Sequence, residues 1–169
     1  MSKSLSTRIK ASIGWTHAET LTGVNDNTQN QSSFTFSDTL ADGTGADQAD
    51  LIYVVSGSLA ASGTLSIDLA GSVADFFGDT ITMARVKTIY IQIDTASSVN
   101  VGGNANPLVN WIADGSDELI IRAGGVFLLH APDATAYAVT ASTGDVLDIT
   151  NNDGSNAAAY DIAIVGASA

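Results

Sequence analysis

The chain has 169 residues and a formal net charge of −12, with 14% charged and 45% hydrophobic residues. This length favours one domain around one hydrophobic core, and the apolar content excludes an intrinsically disordered chain. No run approaches the roughly 18 apolar residues of a membrane-spanning helix, so we expect no membrane partner.

Cysteine is absent, which excludes disulfides, thiol nucleophiles and thiolate metal sites. Of the 18 acidic residues, all but Glu19 and Glu118 are Asp. Asp favours turns and helix caps, whereas Glu and Lys are typical of helix surfaces. The composition therefore predicts strands that are joined by Asp-containing loops.

The first ten residues contain half of the basic residues, Lys3, Arg8 and Lys10, and few large apolar side chains. This pattern predicts a flexible basic arm over residues 1–10, followed by a single domain over residues 11–169. The domain has three basic and 18 acidic residues, hence a formal charge of −15. Because such a body repels phosphate, we expect no nucleic-acid partner.

The arm is also the candidate partner-binding segment. We expect it to become ordered on a partner surface, with contacts from Lys3, Leu5, Arg8, Ile9 and Lys10. Ordering costs about 1–2 kcal/mol per residue, so main-chain hydrogen bonds formed by strand addition are needed as well as charge contacts. The alternative is a solvated tail with a chance cluster of cations. No apolar segment follows these cations, so we expect no secretory signal and synthesis in a cytoplasm.

The first half of the chain alternates between strand-like and polar segments. A first strand is predicted over residues 11–21, a polar loop over 23–31 and a strand over 33–37, where Phe34 and Phe36 alternate with polar residues. Residues 51–55 and 64–69 predict two strands that are joined by a hairpin over 57–63. Residues 73–78 are compatible with one helical turn that ends at Gly78.

The longest strand is predicted over residues 85–94. Ile89, Ile91 and Ile93 share one face of this strand, but Arg85 and Lys87 have the same parity. Either the strand leaves the core at its start, or a β-bulge changes the register there.

The second half contains six further segments of strand length between turn clusters. They are residues 108–112, 118–122, 125–130, 137–140, 146–150 and 160–165. Asp153 and Gly154 before the last segment predict a tight hairpin. About ten strands with frequent turns predict an all-β fold, an antiparallel β-sandwich or jelly roll.

No motif indicates catalysis or a cofactor. The acidic loop between Asp38 and Asp50 could supply oxygen ligands for calcium, but its spacing matches no known calcium loop, and an ordinary turn is favoured. His17 and His130 lack the spacing of a metal-ligand pair. Nucleophile elbows and phosphate-binding loops are absent. We therefore expect a protein that is not an enzyme and that has no metal or cofactor.

Residues 122–141, together with residues 144–149 and 160–166, resemble structural proteins of tailed-phage virions. The nearest group is the small jelly-roll or β-sandwich proteins that decorate or cement the capsid, or form the base of a head spike. The resemblance implies a homotrimer that binds the outer surface of the major capsid protein lattice and stabilises it without chemistry. We expect the small side chains of residues 134–141 near the subunit interface.

Two other functions stay open. A carbohydrate-binding sandwich, as in a tail fibre or lectin-like adhesin, would use exposed aromatic side chains and could also use calcium. A sandwich-fold hydrolase or lyase would need a concave site with converging carboxylates and a histidine, for which the sequence offers no motif.

Overall fold

The computed structural model describes residues 3–20, 27–94, 96–103 and 105–169. These ranges contain eleven strands and no helix, which confirms the predicted all-β class. In chain order the strands are β1 Thr7–Thr20, β2 Asn27–Leu40, β3 Leu51–Leu59, β4 Thr64–Asp68, β5 Arg85–Ile93, β6 Val99–Gly102, β7 Glu118–Ile121, β8 Val126–His130, β9 Tyr137–Ala138, β10 Val146–Asn151 and β11 Ala158–Ala167.

Two antiparallel sheets form the body. One has the strand order β4-β10-β6-β7, and the other has the order β3-β11-β5-β8, with the short β9 also paired to β5. Most connections cross from one sheet to the other, which is the strand order of an eight-stranded jelly roll. The third sheet is a separate two-stranded ribbon of β1 and β2, paired from Thr7↔Leu40 to Thr20↔Asn27.

The crossing connections contradict both predicted hairpins. β3 and β4 lie in different sheets, and so do β10 and β11, so neither residues 57–63 nor Asp153–Gly154 close a hairpin. The local turn chemistry is nevertheless present, because Asp153 Oδ1 accepts hydrogen bonds from the backbone N–H groups of Ser155 and Asn156. The same tight turn serves a connection between sheets as readily as a hairpin.

The main core fills the space between the two sheets. Its fully buried side chains come from the inward faces of both: Ile67, Met83, Val86, Ile89, Ile91, Ile93, Val99, Val101, Leu147, Ile149, Ile162 and Ile164. β4 and β10 alternate between buried and more exposed side chains, with Ile67 of β4 and Leu147 and Ile149 of β10 facing the core.

Several other predictions differ from the structure, and residues 108–112, predicted as a strand, form an irregular turn. β1 begins at Thr7, so the border predicted after residue 10 falls inside a strand. A polar loop is predicted over residues 23–31. Its first part, residues 23–26, lies outside the described residues, and its second part, residues 27–31, belongs to β2. Residues 73–78 form no helical turn, because Ala74 pairs with Thr80 and the chain reverses between them.

Of the two alternatives for the start of β5, the structure has the β-bulge. On β11, Val165 pairs with Thr88 and Gly166 pairs with Val86, so Lys87 is the extra residue of β5. The bulge lets Val86 and Ile89, which have opposite parity, both enter the main core. Gly166 is required opposite the bulge, because a Cβ atom there would lie 2.6 Å from the Arg85 carbonyl oxygen.

The bulge also buries the Lys87 side chain completely. Its Nζ donates to the Gly45 carbonyl oxygen at 3.1 Å and to the Asp133 carbonyl oxygen. Burial lowers the pKa of this amine, and the nearby Arg85 lowers it further, while Asp133 and Asp47 oppose the shift. One buried amine therefore joins two separate loops to the same strand.

We expect Lys87→Ala to lower the free energy of unfolding by at least about 2 kcal/mol, because it removes two charge-assisted hydrogen bonds and leaves a cavity. Urea denaturation measures this change. The control is Arg122→Ala, which removes an exposed cation and should stay within about 0.5 kcal/mol of the wild type. Equal effects of the two substitutions would contradict the role of Lys87.

Candidate functional site

The β1–β2 ribbon has one apolar and one polar face. Residues that pair directly across two antiparallel strands share a face, and Ile13 pairs with Phe34 and Ala11 with Phe36. Trp15 lies on the same face, with its ring centroid 5.2 Å from that of Phe34. The opposite face carries mainly Ser and Thr, as in the hydrogen-bonded pair Ser12 and Thr35.

Much of this apolar face is open to solvent. Ile13 is 71% exposed, Phe34 is 74% exposed and Phe36 is 47% exposed, and Trp15 is half-buried. Residues 11–18 and 29–37 also contain no Asp, Glu, Lys or Arg. A two-stranded ribbon is marginal on its own, so this uncharged apolar face indicates a surface that binds another molecule.

The base of the ribbon is fastened to the body by a second, smaller core. Ile9 and Leu40 are buried against Val165, with Ile52 and Leu128 packed around them. The last three belong to the outer face of the five-stranded sheet, opposite the main core. The body therefore covers the apolar face of the ribbon at its base, around Ile9, and leaves the same face exposed farther along the ribbon, at Ile13 and Phe34.

A polar chain of hydrogen bonds completes this attachment. His130 Nε2 lies 2.8 Å from Asp38 Oδ2, and His130 Nδ1 lies 2.9 Å from Thr88 Oγ1. The hydrogen bond from His130, helped by the backbone N–H of Thr39, holds the pKa of the Asp38 carboxyl below its ordinary value. The Phe36 ring packs at 5.7 Å from the imidazole ring. Thr88 is only 4% exposed, so its hydroxyl group cannot serve as an accessible nucleophile.

A groove of about 450 Å³ runs beside the ribbon. One wall is the free edge of β1 over residues 7–12, and the floor is the outer face of the five-stranded sheet, with Tyr90, Val126, Leu128 and Ala163. Val126 is 58% exposed, and Val54 on the same face is 63% exposed. The groove thus combines unpaired main-chain groups of β1 with an apolar floor.

A second exposed surface, which we name the aromatic peg, is the turn of residues 75–79. Phe76 is 96% exposed and Phe77 is 74% exposed, with the two rings edge to face at 5.8 Å. Asp75 Oδ1 accepts hydrogen bonds from the N–H groups of Phe77 and Asp79, and Gly78 reverses the chain with φ 87°. The peg is therefore a convex turn with a fixed backbone.

Lys3 braces the peg from the N-terminal segment. Its Nζ lies 2.5 Å from both Asp75 Oδ2 and Asp79 Oδ2 and 5.0 Å from the Phe77 ring centroid. The hydrogen bonds that Lys3 donates to Asp75 and Asp79 raise the pKa of Lys3, and the same interaction lowers the pKa of Asp75. Each shift favours the charged form, so the ion pair persists over a wide range of pH.

The five residues predicted as a partner-binding arm fall in different places. Lys3 is at the peg, and the Leu5 N–H donates to Asp42 Oδ1 at 2.9 Å. Ile9 is buried in the chain's own second core, so it is not an exposed anchor here. Arg8 and Lys10 are exposed beside the groove. Leu5 packs against the same second core as Ile9, so the structure brings these two together, whereas Lys3 lies apart from them.

Sequence reasoning missed the residues that form both surfaces. The alternation of Phe34 and Phe36 and the strand around Ile13 and Trp15 were visible signals, but their shared face depends on the register between two strands. The Phe76–Phe77 pair was interpreted as part of a helical turn. No signal in the sequence indicates that these side chains lack a covering layer.

The acidic loop has internal partners for its carboxylates. Asp42 accepts from Leu5, and Asp50 accepts from the backbone N–H and the hydroxyl of Ser168. Within the described ranges, no group of three or more His, Asp or Glu side chains could hold a metal ion. The same part of the chain has no helix that could span a membrane.

Comparison with protein-family models, with curated proteins and with solved structures finds no match. The resemblance to virion proteins of tailed phages therefore stays a prediction, and function has to be argued from the two surfaces.

We expect the attachment of the ribbon to weaken in acid. The pKa of Asp38 is lowered in the folded state, so its stabilising contribution is present above the ordinary value of 3.8 and is lost as the pH falls through the lowered pKa. Asp38→Asn should remove this part of the pH dependence. The measurement is the amide hydrogen exchange of β2 from pH 2 to pH 6.

The control for this measurement is Asp114→Asn. The pKa of Asp114 is also lowered, by hydrogen bonds from Ser116, but Asp114 lies outside β2. A pH profile of β2 exchange that Asp38→Asn leaves unchanged would contradict the prediction.

Proposed function

We propose that the protein is a non-enzymatic structural subunit of a tailed-phage virion, which binds the outer surface of the capsid lattice and decorates or stabilises it. The aromatic peg carries this proposal. Two adjacent Phe side chains stand exposed on a backbone that Asp75 and Lys3 hold in place. Exposed aromatic side chains are typical energetic anchors of protein interfaces.

The fixed geometry of the peg favours binding to a protein surface. A preorganised anchor loses little conformational entropy when it enters a pocket. A lattice also presents the same pocket many times, so that an oligomer with several pegs binds far more tightly than one peg. Asp79, which is largely exposed, and the Lys3 ammonium group surround the rings with charges that a complementary rim can match.

The remainder of the structure is consistent with this role. The jelly-roll strand order recurs in viral capsid domains, although a fold alone does not define a function. The one Thr–His–Asp chain of hydrogen bonds among the described residues fastens the ribbon and buries its hydroxyl group. The resemblance of residues 122–141, 144–149 and 160–166 supplies the class of partner, the major capsid protein.

A carbohydrate-binding domain is the second candidate, favoured by the recurrence of the same strand order in lectin domains. Sugar sites combine an aromatic platform with converging polar groups in a concave pocket. The peg is convex, and its carboxylates are engaged by Lys3 and by its own backbone. Binding of the wild type to a glycan array, with no binding to capsids, would decide for this candidate.

We expect the double substitution Phe76→Ser and Phe77→Ser to weaken binding to capsids of the encoding phage at least tenfold, or about 1.4 kcal/mol. Both rings are exposed, so the free energy of unfolding should change little. Co-sedimentation with purified capsids measures the binding.

The matched control is Ile120→Ser, which removes a 56% exposed apolar side chain from β7 of the four-stranded sheet, outside the peg. This variant should bind capsids like the wild type. Undiminished binding of the Phe76/Phe77 variant would refute the peg as the contact, and a wild type that binds neither capsids nor whole virions would refute the function.

A further inference from the structure

We infer that the groove beside β1 is filled by β1 of a second copy of this chain, so that two ribbons pair edge to edge as one antiparallel four-stranded sheet. This proposal concerns self-association and does not depend on the capsid contact. Three observations carry it: the open edge of β1, the uncovered apolar face of the same strand and the distribution of charge.

The free edge and the apolar floor together fit an incoming strand. The β1 edge over residues 7–12 lines the groove, and its main-chain groups can pair with an extended segment. The strand that fills the groove must place apolar side chains over Tyr90, Val126 and Leu128. When the two β1 strands pair antiparallel about Ile13, residues 14–19 of the incoming strand lie opposite residues 7–12, so Trp15 and His17 of its apolar face are placed over this floor.

A twofold axis at Ile13 lets the β1 strand of each copy enter the groove of the other. The central row of the four-stranded sheet is then Phe34, Ile13 and their two symmetry mates. In the next row, Trp15 of one copy lies beside Ala11 of the other, so that a large side chain meets a small one. Because directly opposite residues share a face, the two apolar faces merge on one side of the sheet, toward the two bodies.

The buried area is sufficient for a stable dimer. Ile13, Trp15, Phe34 and Phe36 expose on the order of 400 Å² of apolar side chain per copy, since one buried aromatic side chain accounts for roughly 150–250 Å². Complete coverage of these side chains by the two bodies would bury about 800 Å² of apolar area in two copies, and apolar atoms make up roughly 60% of an interface. The whole contact is then about 1,300 Å², within the standard range of about 1,200–2,000 Å².

The charges favour a second copy that is related by this twofold axis. Residues 11–18 are uncharged, so two chains that each carry a net charge of −12 can meet there without opposed carboxylates. The two buried Ile9 positions lie eight residues apart along the paired strands, about 26 Å, which exceeds the screening length of about 8 Å in physiological salt. Arg8 and Lys10 are the cations nearest the groove.

A threefold arrangement, which the resemblance to virion proteins implies, fits these observations less well. Ribbons side by side in parallel would bring three folded bodies, each on a chain of net charge −12, to the same height. The interface expected around residues 134–141 is a different surface, which includes β9 and its pairing with β5.

Sedimentation equilibrium of the full chain in physiological salt tests the proposal. We expect a mass of twice 17.2 kDa at micromolar concentration. Ile13→Lys places two ammonium groups at the twofold axis and should weaken the dimer at least tenfold. Thr35→Lys adds the same charge to the polar face of β2 and should leave the dimer intact. A monomeric wild type, a mass of three chains, or a dimer that survives Ile13→Lys would each overturn the proposal.

Spin labels test the pairing without disturbing the apolar face. The chain has no cysteine, so Ser12→Cys and Ser37→Cys each give a single labelled site. Pairing about Ile13 puts the two Ser12 Cα atoms about 8 Å apart and the two Ser37 Cα atoms about 25 Å apart. A Ser12 separation that is equal to or longer than that of Ser37 would overturn the β1–β1 contact. A dimer with this pairing that does not bind capsids would contradict only the proposed function, and a monomer that binds capsids would contradict only the self-association.

Discussion

The buried ammonium group of Lys87 determines how the outer face of the five-stranded sheet is built. The bulge that admits Lys87 reverses the parity of β5, so that Val86 and Ile89 both enter the main core. The amine then requires oxygen partners, because an unpaired buried charge is costly. Those partners are carbonyl groups of two loops, at Gly45 and Asp133, which must close over the strand.

The position of the ribbon follows from these two loops. One loop continues directly from β2 and the other from β8, and they are joined by a hydrogen bond from the Asp47 N–H to the Pro132 carbonyl oxygen. The ends of β2 and β8 are thereby fixed side by side, which places Asp38 against His130. A buried lysine in the body therefore sets the direction in which an exposed ribbon leaves it.

How far the sequence predicts this molecule depends on how local each feature is. Strand periods and the parity conflict at Lys87 are local: the periods predict the all-β class, and the conflict predicts either a bulge or a strand that leaves the core, of which the structure has the bulge. Asp153 and Gly154 make the same turn whether the next strand stays in the sheet or crosses to the other, so the hairpin prediction was wrong. Asp75 accepts from the second and fourth following N–H groups much as a helix cap does, which explains the wrong helical turn. The ribbon face and the groove depend on strand register and on packing between distant segments, which periodicity does not contain.

The negative charge of the body affects how readily a chain with such a ribbon aggregates. A flat, uncharged strand edge with aromatic side chains is the kind of segment that seeds indiscriminate aggregation. Here the protection against aggregation comes from the bodies, since the net charge of −12 on each chain opposes the close approach of many copies. Near the isoelectric point of about 4.1 this repulsion disappears, whereas the lowered pKa of Asp38 keeps its carboxylate ionised there and the ribbon fastened to the body. Mild acid therefore removes the long-range protection while the ribbon is still presented intact, which makes a pH near 4.1 the condition under which purified protein is least safe to concentrate.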